Sequence, residues 1–165
     1  MVKTKRNKTN GKGIDSILGT KNMRCPKCGR AVELRSAQGI YKDNADKKLY
    51  VCTGYPECDT YARVHSGTAI PMGSLADGKL RSLRNDAHKH FDRLHQFGFM
   101  DREDAYSWLA GILSAPMSKA HIGNLTEYYC QVVIEESDKL FDQLKQRAAN
   151  KFRPASRGGE LYVVV

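Results

Sequence analysis

No stretch of this chain approaches the ~20 consecutive apolar residues that a membrane-spanning helix requires, so neither a span nor a membrane partner is expected. The first residues are basic but lack the apolar segment of a secretory signal, and the early Asp15 with scarce arginine argues against a mitochondrial transit peptide. Catalytic signatures are missing too: there is no Ser/His/Asp motif, phosphate-cradling glycine loop or dinucleotide fingerprint. Gly158-Gly159 stands too isolated to be one. The second half holds no copy of any first-half pattern, which excludes a repeat protein. Five cysteines in 165 residues are too few for a disulfide scaffold and fit a reducing cytoplasm. That length leaves room for one small motif and one helical unit, not for two large cores.

What is present is sharply placed. Cys25 and Cys28 form a Cys-x2-Cys pair, and Cys52 and Cys58 form Cys-x5-Cys after a connector of twenty-three residues. Such spacing lets paired thiolates of a turn reach one ion, and Pro26, Gly29, Gly54 and Pro56 supply turn chemistry at both ends. Four sulfurs at about 2.3 Å close a tetrahedral Zn2+ shell and leave no position for substrate, so one structural zinc per chain is expected. The alternatives are a disulfide pair or unrelated thiols.

Cys25-Pro26-Lys27-Cys28-Gly29, with Tyr50-Val51-Cys52-Thr53-Gly54-Tyr55-Pro56-Glu57-Cys58, resembles the C-terminal zinc ribbons of type IA DNA topoisomerases over residues 23–65. That resemblance implies DNA binding with a preference for single strands. The connector around residues 43–48 is longer than is typical of those ribbons. Further along, Pro71-Met72-Gly73-Ser74-Leu75-Ala76, Leu80-Arg81, Arg84, Ala87-His88 and Phe91-Asp92 resemble a phage and prophage family known as a zinc-finger-containing domain of unknown function. Ala105-Tyr106-Ser107-Trp108-Leu109-Ala110 and His121-Ile122-Gly123 continue the match. It implies a phage or mobile-element origin, and hence the cytoplasm of a bacterial host.

Charge is uneven. Residues 1–30 carry nine Lys or Arg against Asp15 alone, a net +8 of the chain's +9. A basic arm leading into a ribbon suits phosphate binding through counterion release; the bland alternatives are a solubilising tail or an anionic-membrane contact.

The pattern predicts an α+β chain: a small antiparallel zinc ribbon built on four cysteines, followed by a three-helix bundle. Residues 1–13 read as a disordered basic arm, 14–66 as the ribbon, 67–76 as a linker, 77–150 as the bundle, and 151–165 as a tail with a short β-prone strip. Within the ribbon region, residues 14–18 form an apolar patch. Strands are expected at 31–34, 48–52 and 60–64, with Ile40-Tyr41 a candidate fourth. Helices are expected from 77 to Gly98, after an Asp101 N-cap, and over 124–148. Leu80, Leu83, Ala87, Phe91 and Leu94 face inward on the first, and Ala105, Trp108, Leu109 and Ile112 on the second. Tyr129, Val132, Val133, Leu140 and Leu144 face inward on the third, where Cys130 reads as a buried small hydrophobe.

Candidate nucleic-acid contacts are Lys3, Lys5, Arg6, Lys8 and Lys12 in the arm, and Lys27, Arg30, Arg35, Tyr41, Lys47, Lys48, Tyr55 and Arg63 on the ribbon. Arg81 and Arg84 join them from the first helix, as phosphate contacts or as contacts to the ribbon. Among the ribbon's tyrosines one or two are expected in its miniature core, with Tyr55 the most exposed. His88, Asp92 and His95 share a helix face and suggest either a catalytic metal, as in a nuclease, or a solvated stripe. The leading expectation is a non-enzymatic, phage-type DNA-binding accessory protein favouring single strands. Its rivals are a zinc-stabilised module that binds and regulates a host or phage protein, and a metal-dependent nuclease.

Overall fold

In a computed structural model, the described residues are 22–41 and 47–151. The arm with Lys3, Lys5, Arg6, Lys8 and Lys12, the patch at 14–18, the connector residues 42–46 and the strip at 161–165 lie outside them. The described fold is α+β, with a three-stranded antiparallel sheet followed by three helices. By internal contacts the chain divides inside the first helix. One compact unit runs through Asp86 and includes His121–Cys130; the other comprises Ala87–Ala120 and the chain from Gln131.

In the first unit, β1 (Val32–Ser36), β2 (Lys48–Cys52) and β3 (Tyr61–Arg63) form a meander in that order. Opposed residues share a face in such a sheet, which groups Glu33, Val51 and Tyr61, and likewise Arg35, Leu49 and Arg63. The middle strand is buried on both sides: Leu49 and Val51 meet Ala37 and Tyr61, while the Tyr50 hydroxyl donates to the Ala69 carbonyl at 2.9 Å. Ile40-Tyr41 is no strand. Both amides donate to the Ala37 carbonyl at 2.9 Å, which curls the segment into a turn and lays both side chains on that small core.

The stretch read as a linker is hydrogen-bonded back onto the ribbon. Met72 N–H donates to the Arg63 carbonyl at 2.8 Å, and Ala76 exchanges both backbone bonds with Tyr61. Gly73 then passes so close to Gly123 that a Cβ would lie 2.3 Å from its carbonyl oxygen, which only glycine permits.

Helix α1 (Gly78–Gln96) starts on Asp77, whose carboxylate accepts from Leu80 N–H at 3.0 Å, an N-cap bond. Gly98, at φ 71°, stops it as expected. In the second unit, Ala87, Phe91 and Leu94 of α1 are fully buried, as are Ala105 and Leu109 of α2 (Arg102–Ile112). Phe91 meets Tyr106 edge-on at 5.2 Å and stacks with Trp108 at 6.5 Å. Two 3-10 turns, Met117–Lys119 and Ile122–Asn124, precede α3 (Glu127–Lys151). Its buried line is Cys130, Val133 and Ser137. Val133 is buried and Leu140 and Leu144 are half-buried as expected, but Tyr129 is 43% exposed, because its neighbour Cys130 takes the inward position.

Candidate metal centre

Two short chain reversals bring the four cysteines together. The first is closed by Gly29 N–H donating to the Cys25 carbonyl at 2.9 Å, with Gly29 at φ 73°. In the second, Tyr55 N–H donates to the Cys52 carbonyl at 3.0 Å and Cys58 N–H to the Gly54 carbonyl at 2.8 Å. Strand pairing places Cys52, at the end of β2, opposite Val32, just beyond the first reversal.

The four sulfurs lie within 4.8 Å of one another, with Cys25 and Cys58 3.6 Å apart and Cys28 and Cys52 3.4 Å apart. A tetrahedron with zinc–sulfur bonds of about 2.3 Å has edges of about 3.8 Å, so the cluster fits one ion. No disulfide links them; all are free thiols, and only Cys28 is exposed. Polar neighbours suit thiolate charge. Gly54 N–H donates to Cys52 Sγ at 3.3 Å, and the Thr60 hydroxyl lies 3.4 Å from Cys58 Sγ. Burial opposes ionisation of Cys25, yet the Cys28 and Lys27 amides draw it down to about 6. Burial and crowding by the other sulfurs push Cys52 up to about 12. Only a cation lets all four ionise together, and its binding must release protons. The shell is complete with four sulfurs, so the zinc it holds is structural.

Around this centre the expected contact residues separate into groups. Arg35 lies over the Tyr55 ring at 5.5 Å, Arg63 over Tyr41 at 5.3 Å, and Arg81 over Tyr61 at 3.5 Å. Arg63 Nε donates to the Tyr41 hydroxyl, which donates to that of Tyr61, each at 3.2 Å. Burial and the bond from Tyr41 push Tyr61 up to about 12, so its phenol adds no charge near neutral pH. Lys47 and Lys48 are exposed. Arg30 is exposed too, with its guanidinium against Gly54.

Two expectations change, and Arg81 takes one of its two expected roles. Tyr55 is half-buried rather than presented to solvent, because its ring packs on the Leu49–Val51 core and carries Arg35. Arg84 is 8% exposed and donates to the Leu125 and Ser74 carbonyls and to the Ser74 hydroxyl, so it makes no surface contact. Arg81 is occupied by the Asp59 carboxylate and by the Asp59 and Ala76 carbonyls, which makes it a ribbon contact. Lys27 is likewise paired, at 3.0 Å from Asp77 and 3.7 Å from Asp59.

Among the described residues the cysteines form the only converging group of three or more metal-ligand side chains, so His88, Asp92 and His95 do not assemble one. Burial lowers the His88 pKa, and His95 Nδ1 is buried without a partner. The sequence reading overlooked Thr60, Asp59 and Asp77. Their only local signal was position, one or two residues past a cysteine or just ahead of a helix.

No curated protein and no solved structure matches the chain. A family model described as a zinc-finger-containing domain matches residues 21–149, which spans the cysteine cluster, the first two helices and all but the last two residues of the third. On that match, and with four sulfurs set for one zinc, the chain belongs to the zinc-finger-containing domain family.

Proposed function

We propose that this is a phage-type zinc-ribbon accessory protein that binds nucleic acid, DNA in single-stranded form above all, in the bacterial cytoplasm, without catalysing a reaction. The observation that carries the reading is the ribbon face on which Arg35 and Arg63 share a row and lie over tyrosine rings. A guanidinium held against a ring offers its outer face to an unpaired base and its edges to phosphate. Lys47 and Lys48 and the +8 first segment supply the sequence-independent attraction. The resemblance of the cysteine loops to topoisomerase ribbons points the same way. Because Tyr55 and Tyr41 are themselves partly covered, the arginine planes, rather than bare tyrosine rings, form the stacking surface.

Fluorescence anisotropy with a labelled single strand and its duplex, at about 50 to 200 mM salt, tests this. The zinc-loaded chain should bind the single strand more tightly, with affinity falling steeply as salt rises. Arg35→Lys keeps the charge but removes the plane, so it should cost about 0.5–1 kcal/mol on the single strand and little on the duplex. Absence of binding, or binding indifferent to salt, would refute the reading and favour a module that meets a protein.

A further inference from the structure

A cavity of about 940 Å³ lies wholly within the first unit, beside the first cysteine loop. Its apolar wall is formed by Met23, Pro26, Pro71, Met72, Leu75 and Leu80, with Met72 54% exposed. Its size falls in the range of ligand-binding clefts. Of the lining residues Arg24 and Arg84 are cations, and the only acid among them, Glu127, is held by Lys79 at 2.7 Å.

Arg84 is the informative member. It is buried, and every acceptor it meets is uncharged: the Leu125 carbonyl at 2.9 Å, the Ser74 carbonyl at 2.8 Å and the Ser74 hydroxyl at 2.7 Å. A cation buried without a counter-charge is unfavourable, and an anion seated nearby would relieve it. An apolar wall beside Arg24 and the uncompensated Arg84 suits a ligand that is both apolar and anionic. Nucleic acid offers the charge but little aliphatic surface to match Met72, Leu75 and Leu80, whereas an acidic peptide offers both.

We propose that this cavity docks a segment of a partner protein in which apolar anchors alternate with carboxylates. Pro26 belongs to the first cysteine loop, so the wall depends on the metal that shapes that loop. The site is separate from the arginine-covered sheet face, and the chain would thereby tether an acidic protein segment to nucleic acid.

The test uses the full zinc-loaded chain and a short fluorescein-labelled peptide of alternating Leu and Asp, read by anisotropy and by methyl shifts of Met72 and of Ala62, which also lines the cavity. Versions with Lys for Asp, or Ser for Leu, should bind at least about tenfold more weakly. Met72→Glu, at an exposed position, should weaken the Leu/Asp peptide by about tenfold while zinc content and single-strand affinity stay unchanged. Arg24→Glu should act in the same direction from the rim. Equal binding of the Lys version, shifts confined to other residues, or no effect of Met72→Glu would overturn the proposal. So would displacement of the peptide by an oligonucleotide whose own affinity falls in Met72→Glu, which would assign the cavity to nucleic acid.

Discussion

The ribbon of the first unit buries three cysteines, a threonine and two tyrosines around little more than Leu49 and Val51, whereas the second buries Phe91, Leu94, Leu109 and Val133. Sheet residues in the ribbon are used for display: β1 is exposed along four of its five positions, and its Arg35 covers the Tyr55 ring. So little apolar area cannot offset the entropy of ordering the loops, and metal coordination supplies the difference. In the second unit, helices with apolar stripes bury a larger core, and no group of metal-ligand side chains converges among its described residues. The contrast shows how a small sheet can keep a charged face: the metal holds the fold, so exposed strand residues need not supply a core.

Removing the metal should break the comparison most strongly. Cys52→Ser deletes a buried ligand from a centre of a kind that stabilises small domains by about 10–16 kcal/mol. Ribbon amide resonances should lose dispersion, while residues 87–120 keep helical signals. Loss of both sets together would mean the second unit also depends on zinc.

Truncating the other core should do the reverse at smaller size. Phe91→Ala removes a fully buried ring in contact with Tyr106 and Trp108, and should lower stability of the helices by about 3–5 kcal/mol. Zinc stoichiometry, measured on the same sample, should hold.

The smallest effect concerns Asp77, which caps α1 and pairs with Lys27 of the first cysteine loop. The Leu80 amide, then Lys27, hold its carboxyl below the usual range. A depressed folded value means its stabilisation is present above the unfolded value and disappears as pH falls through the folded one. Asp77→Ala should therefore cost about 1 kcal/mol at neutral pH, and its difference from the parent should vanish in acid. Denaturant titrations at both pH values decide it.

What the sequence disclosed followed from range. Cysteine spacing, the turn residues beside it and the period of α1 are local, and each reads correctly. Tyr129 was misread because a large ring beside Cys130 looks the better core residue, yet Cys130 takes the inside with Val133 and Ser137. Residues 67–76 look like a linker because Gly and Pro mark breaks, yet amides among them find partners on β3, which no local pattern reveals. The pairing of Arg63 with Tyr41, twenty-two positions apart, depends on strand register, and the burial of Arg84 depends on a carbonyl forty-one positions away. Side chains that looked like free surface cations were thus partly committed to the fold.

The central claim, that four sulfurs hold one zinc and with it the arginine-covered sheet face, is tested most directly by metal analysis of the reduced, folded chain. One zinc per chain, lost on Cys52→Ser, is the expected result. A folded ribbon that carries no metal, with native strand resonances in the presence of chelator, would contradict it.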